Sequence, residues 1–70
     1  MVRASDVRVP SLALVRASQG LTQKQLFEKT GVAKSTIVRA EHGGTISILT
    51  ATKLAQALGV SVADLKREAE

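Results

Sequence analysis

The stretch LTQKQLFEKTGVAKSTIVRAEHG, residues 21–43, decides the fold. It divides at Gly31 into two short segments, each with its own helix signals. In the first, Thr22 and Gln25 have the T-x-x-Q spacing of a capping box, in which each residue satisfies a free backbone N–H of the other. Leu21 and Leu26 have the spacing of a hydrophobic staple, and Gly31 stops the helix. The second segment spans roughly Lys34 to His42 and ends at Gly43-Gly44. Ile37 and Ala40, with Val32 just before them, mark its inward side. Ala33 stands at its N-cap, where Ser or Thr would be worth about 1 kcal/mol more.

Working outward, Val9 precedes Pro10 and is pushed toward extended geometry, while Pro10 suits the first turn of a helix. A first helix is expected from about Pro10 to Ser18, with Leu12, Leu14 and Val15 as inward candidates, stopped by Gly20. Beyond the central pair, Ser47 opens a fourth helix in which Ile48, Ala51, Leu54, Ala55 and Leu58 recur at helical spacing, and Gly59 ends it. Ser61 with Asp64 repeats the capping-box pattern, and Val60 with Leu65 the staple, for a fifth helix. Val7-Arg8-Val9 alternates like a strand but is too short to count as one. The expected architecture is all-α, a compact five-helix bundle. Residues 1–9 read as an N-terminal arm and residues 10–70 as one domain, with the helix pair at 22–42.

Composition narrows the function. Seventy residues make one small domain, which buries only about 60% of its unfolded surface. With 44% hydrophobic residues, the chain has enough apolar surface for one core. It has no cysteine and one histidine, which excludes disulfides and argues against a zinc site; no cofactor or metal is implied. No apolar run is long enough for a membrane span, and residues 1–10 lack a signal-peptide core, so a cytoplasmic protein is expected. The chain has no tyrosine, no paired carboxylates in an apolar setting and no phosphate-cradling glycine loop, so an enzyme is not expected. The net charge is +4, which favours a polyanionic partner only weakly. Its placement says more. Arg16, Lys24, Lys29, Lys34, Arg39 and Lys53 face only Glu28 and Glu41 over the central span, whereas the last seven residues are net acidic. The cations therefore gather over the helix pair, and an α-helix is an element that fits the DNA major groove.

Four motifs then occur in order: G-L-T-Q at 20–23, G-V-x-x-S-T-I at 31–37, E-x-G at 41–43 and L-A-x-A-L-G-V-S at 54–61. Together the chain, over about Leu12 to Leu65, resembles the Cro/C1-type (XRE) helix-turn-helix repressors. The resemblance implies a lambda-repressor-like DNA-binding domain and a sequence-specific transcriptional regulator, most simply a repressor, acting on double-stranded DNA. It implies that Lys34, Ser35 and Arg39 face base edges, with Thr36 and Val38 beside them. Lys34 and Arg39 can donate to guanine O6 and N7. Thr22, Gln23, His42, Thr45 and Ser47 fall at phosphate-facing positions, Gln23 also bracing the recognition helix. Arg16 and Glu41 match a structural ion pair, so that Glu41→Ala should unfold the domain. The loop Gly44-Thr45-Ile46 lacks the basic residues with which many members grip phosphate. Phe27 stands where the family usually has alanine, and Ala40 where a large aliphatic is usual, so Phe27 is expected to fill the volume Ala40 vacates.

The family commonly binds as two-fold dimers. A homodimer, formed mainly on DNA, is expected, with Ile46, Val62 and Leu65 as contact candidates, although Leu65 reads more readily as a core residue. Arg3 and Arg8 could reach phosphate or the minor groove from a flexible arm. The alternative function is a protein-interaction module on the same fold, an antitoxin with a toxin partner or an adaptor.

Overall fold

The computed structural model describes residues 6–68. Among them, the chain runs β1 (Asp6–Arg8), α1 (Leu12–Ser18), α2 (Gln23–Thr30), α3 (Lys34–Glu41), β2 (Thr45–Ser47), α4 (Ile48–Leu58) and α5 (Val62–Lys66). The helices start and stop where local chemistry demands. Both halves of the Thr22–Gln25 and Ser61–Asp64 capping boxes are present. Ser47 caps α4 by accepting the Thr50 N–H at 3.1 Å. Gly31 ends α2 at φ +75°, a left-handed conformation that costs glycine nothing and other L-residues about 1 kcal/mol. Its N–H closes on the Phe27 carbonyl at 2.7 Å. The Thr30 hydroxyl donates to the Leu26 carbonyl and accepts the Val32 N–H, tying the turn from both sides. Ala33 makes no side-chain cap for α3.

One core holds the elements together. Leu12, Leu26, Ile37, Ala40, Ala51, Leu54 and Leu65 are wholly buried, with Val32, Ala55 and Leu58 nearly so. Buried Ser11 links the two ends of the chain. Its N–H donates to the Leu65 carbonyl at 3.1 Å and its hydroxyl to the Arg67 carbonyl. Gln19 Nε2 similarly ties the end of α1 to the Leu58 carbonyl of α4, at 2.6 Å.

Several expectations need correcting. The stretch around Val7 and Arg8, dismissed as too short, forms a strand antiparallel to β2, with Asp6 opposite Ser47, Val7 opposite Ile46 and Arg8 opposite Thr45. Residues 6–9 are thus part of the domain, and Val9 is wholly buried. Arg3 lies outside the described residues. The first helix begins at Leu12 rather than Pro10, because Ser11, not Val9, takes the N-cap position. Leu14 is 60% exposed and Ile48, at the first turn of α4, is exposed as well. Ile46, expected at a dimer surface, is a core residue, Leu65 is core as its own reading favoured, and Val62 packs against the core. Phe27 is 41% exposed while Ala40 is fully buried, so Phe27 does not fill the space beside Ala40.

Candidate nucleic-acid interface

The helix pair places α3 with one side in the core and one side outward. Ile37 and Ala40 are wholly buried. Lys34, Ser35 and Arg39 are exposed, and Thr36 and Val38 are half-buried. At 3.6 residues per turn, positions 34, 35, 38 and 39 fall within an arc of about 140° on the side away from Ile37 and Ala40. The five residues assigned to base reading thus lie on a single helix, four of them along one outward face. Two cations and a hydroxyl on that face offer donors and no carboxylate.

Two helices, α1 and α2, brace this helix through one polar network. Arg16 of α1 donates from Nε to Glu41 Oε2 at 2.6 Å and from Nη2 to Glu41 Oε1 at 3.1 Å. Its Nη1 donates to the Leu21 carbonyl at 2.6 Å. Gln23 of α2 donates from Nε2 to Glu41 Oε1 at 2.9 Å. The pair is largely withdrawn from water, with side-chain exposures of 17% for Arg16 and 6% for Glu41. Burial pushes the Glu41 carboxyl up. The hydrogen bonds from Arg16 and Gln23 and the charges of Arg16 and His42 outweigh it and hold the carboxyl below its ordinary value. The hydrogen bond to Glu41 raises Arg16 in turn, against the effect of burial.

The phosphate-facing candidates divide by what their polar atoms already do. Thr22 is exposed, and its Oγ1 accepts the Gln25 N–H at 3.0 Å, which leaves the hydroxyl proton to donate. Gln23 spends one amide proton on Glu41 and keeps a second. His42 is exposed as the C-cap of α3. Ser47 is engaged with Thr50, accepting its N–H and sharing a 2.9 Å contact with its hydroxyl. Thr45 is half-buried in β2.

Two features of the site escaped the sequence reading. Gly44, read as a helix stop and loop residue, lies against Arg39. Its N–H donates to the Arg39 carbonyl at 2.9 Å, and a Cβ there would come within 2.5 Å of Arg39 Cγ. Any side chain would therefore move the stem of the exposed arginine, and the paired glycines were the available signal. The second is the fixed placement of Arg8: expected on a flexible arm, it is held in β1 across from Thr45. The signal for it was the matching β-branched alternation around Val7 and Ile46, separated by most of the domain.

Among the described residues no group of histidines, cysteines or carboxylates could hold a metal ion, and no helix is long and apolar enough to cross a membrane.

Comparison with known proteins supplies the context. A family model described as helix-turn-helix (HTH_3) matches residues 12–65. The chain is similar to a crystal structure of SinR, the master regulator for biofilm formation, in complex with DNA. The TM-score is 0.74 at 33% identity, over 80% of this chain and 92% of that one. No curated protein sequence matches.

Proposed function

We propose, from the premise that this chain belongs to the XRE (Cro/C1-type) helix-turn-helix family of DNA-binding transcription regulators, that it binds double-stranded DNA sequence-specifically as a repressor. It inserts α3 into the major groove. One observation carries the reading: Lys34, Ser35 and Arg39 are exposed on α3 while Ile37 and Ala40 behind them are wholly buried. That geometry projects a rigid donor face from a fixed core, and guanine O6 and N7 are the acceptors it suits. Thr36 and Val38 flank the reading face. Thr22, Gln23, His42, Thr45 and Ser47 serve as backbone-phosphate contacts that set the register.

The bound form is a two-fold dimer assembled on DNA, occupying half-sites about one helical turn apart. The cytoplasm is the compartment that follows for a regulator of this kind. Structural support for the DNA reading comes from the Arg16–Glu41–Gln23 network. It neutralises the carboxylate at the end of α3 that would otherwise repel phosphate.

Selection from random duplexes, followed by binding across a salt series, tests the proposal. Enrichment of a palindromic or pseudo-palindromic site, with affinity falling steeply as salt rises, is the expected result. If no sequence is enriched and low-salt binding matches that of an unrelated basic protein, the reading fails and the adaptor or antitoxin function takes its place.

A further inference from the structure

The segment between α3 and α4 holds no cation: Gly43, Gly44, Thr45, Ile46 and Ser47 carry no charge. The β1–β2 ladder brings one to it. Arg8 lies directly opposite Thr45, and directly opposed residues of an antiparallel pair have Cβ atoms about 4.5–5.5 Å apart. Val7 and Ile46, between the outer pairs, pack into the core. Side chains alternate along a strand, so Arg8 and Asp6 share the outer face with Thr45 and Ser47. Arg8 is exposed, and among the described residues it forms no ion pair, not even with Asp6 on the same face. Thr45 is also the residue after Gly44, which lies on the stem of Arg39. Arg39, Thr45 and Arg8 therefore follow one another from the reading face of α3 onto the sheet.

We propose that Arg8 is a DNA backbone-phosphate contact, held by β1 beside Thr45 and supplying from the other end of the chain the cation that the α3–α4 connection lacks. The contact rests on the reading of α3 as the DNA-recognition helix. It differs from a flexible arm in being pinned by the strand register. A phosphate contact carries no sequence information, so Arg8 contributes equally to all duplexes.

The test uses the full chain with Arg8→Gln, Arg8→Lys and the double variant Arg8→Gln/Thr45→Arg. Each is titrated on its selected site and on an unrelated duplex between 50 and 200 mM salt. Losing one phosphate contact lowers the slope of log affinity against log salt by about 0.9 per protomer. The advantage of the parent chain over Arg8→Gln should then shrink about 3.5-fold per protomer across that range, on both duplexes alike. Arg8→Lys should restore the slope. So should Arg8→Gln/Thr45→Arg, which moves the charge across the ladder onto the same face. An unchanged slope in Arg8→Gln overturns the proposal, as does a loss confined to the selected site, which would mean base reading. Failure of both charge-restoring variants overturns it too. If the parent chain binds neither duplex, the DNA reading itself falls and the Arg8 contact falls with it, an outcome distinct from the other three.

Discussion

Replacing Glu41 with alanine removes the acceptor shared by α1 and α2. Three hydrogen bonds disappear: 2.6 Å and 3.1 Å from Arg16, and 2.9 Å from Gln23. Arg16 is left with the Leu21 carbonyl as its partner, at a side-chain exposure of 17%. Breaking a buried pair by deleting one partner costs about 3–5 kcal/mol, because the survivor remains desolvated and unmatched. Partial access of water to Arg16 places this case near the lower end, about 3 kcal/mol. At about 0.05–0.15 kcal/mol per residue, a domain of this length has roughly 3.5–10 kcal/mol in total. Glu41→Ala therefore removes about a third of the stability if the total lies near the top of that range and nearly all of it near the bottom. At about 4–8 °C per kcal/mol, the midpoint falls by about 12–24 °C. Thermal and urea unfolding followed by far-UV circular dichroism measure this. Arg16→Met and the double variant Arg16→Met/Glu41→Leu complete the cycle. The double variant should be far less damaging than the sum of the singles, since an apolar replacement leaves no stranded charge. A fall of under about 4 °C in Glu41→Ala, or a double variant as damaging as the sum, would refute the brace, because exposed ion pairs contribute only about 0–1 kcal/mol.

Acid unfolding should follow the same network. The Glu41 carboxyl is held below its ordinary value, so its contribution is fully present above the unfolded-state pKa, about 4.3, and is lost as pH falls through the lower folded value. Asp64 is lowered by the Ser61 backbone and side-chain hydrogen bonds and acts in the same direction. Urea midpoints measured from pH 6 down to pH 2 should decline, and Glu41→Gln should flatten that decline. Ala33 has an extended ψ of 138° and no cap bond, so Ala33→Ser should add about 1 kcal/mol and raise the midpoint by about 4–8 °C. Ala33→Asp should cap as well but weaken duplex binding, because it sets a carboxylate at the start of the reading helix; melting curves and fluorescence anisotropy separate the two effects. Arg39→Ala should cost about 1–3 kcal/mol of discrimination at one base pair, read by competition among single-base variants of the selected site. Gly44→Ala should reproduce part of that loss without touching DNA, since its Cβ would displace the Arg39 stem.

What was legible in the sequence follows from the range of the interaction that decides each residue. Capping boxes at Thr22–Gln25 and Ser61–Asp64, the Ser47 cap and the left-handed Gly31 and Gly59 all close within about one helical turn, and each stands where its local spacing puts it. The outward face of α3 was legible for the same reason, since burying Ile37 and Ala40 turns Lys34, Ser35 and Arg39 outward by helical phase alone. Phe27 shows the limit of arguing from volume instead of phase. Leu26 is wholly buried, and adjacent helical residues point about 100° apart, so its neighbour turns toward solvent however well its volume would match the space at Ala40. Ile46 shows the complementary limit. Between Gly44 and Ser47 it reads as part of an exposed loop, and only its pairing with Val7 turns it inward. No turn signal announces that pairing, because most of the domain separates the two strands. Arg8 inherits the same blindness. Its face, its neighbour Thr45 and its approach to α3 all depend on a register set by Val7 and Ile46, and a shift of one residue would turn its side chain to the other face of the sheet. The exposed residues of α3 depend on the phase of their own helix and can be read from local spacing. A residue placed by a ladder between distant segments acquires its role only once that ladder is known.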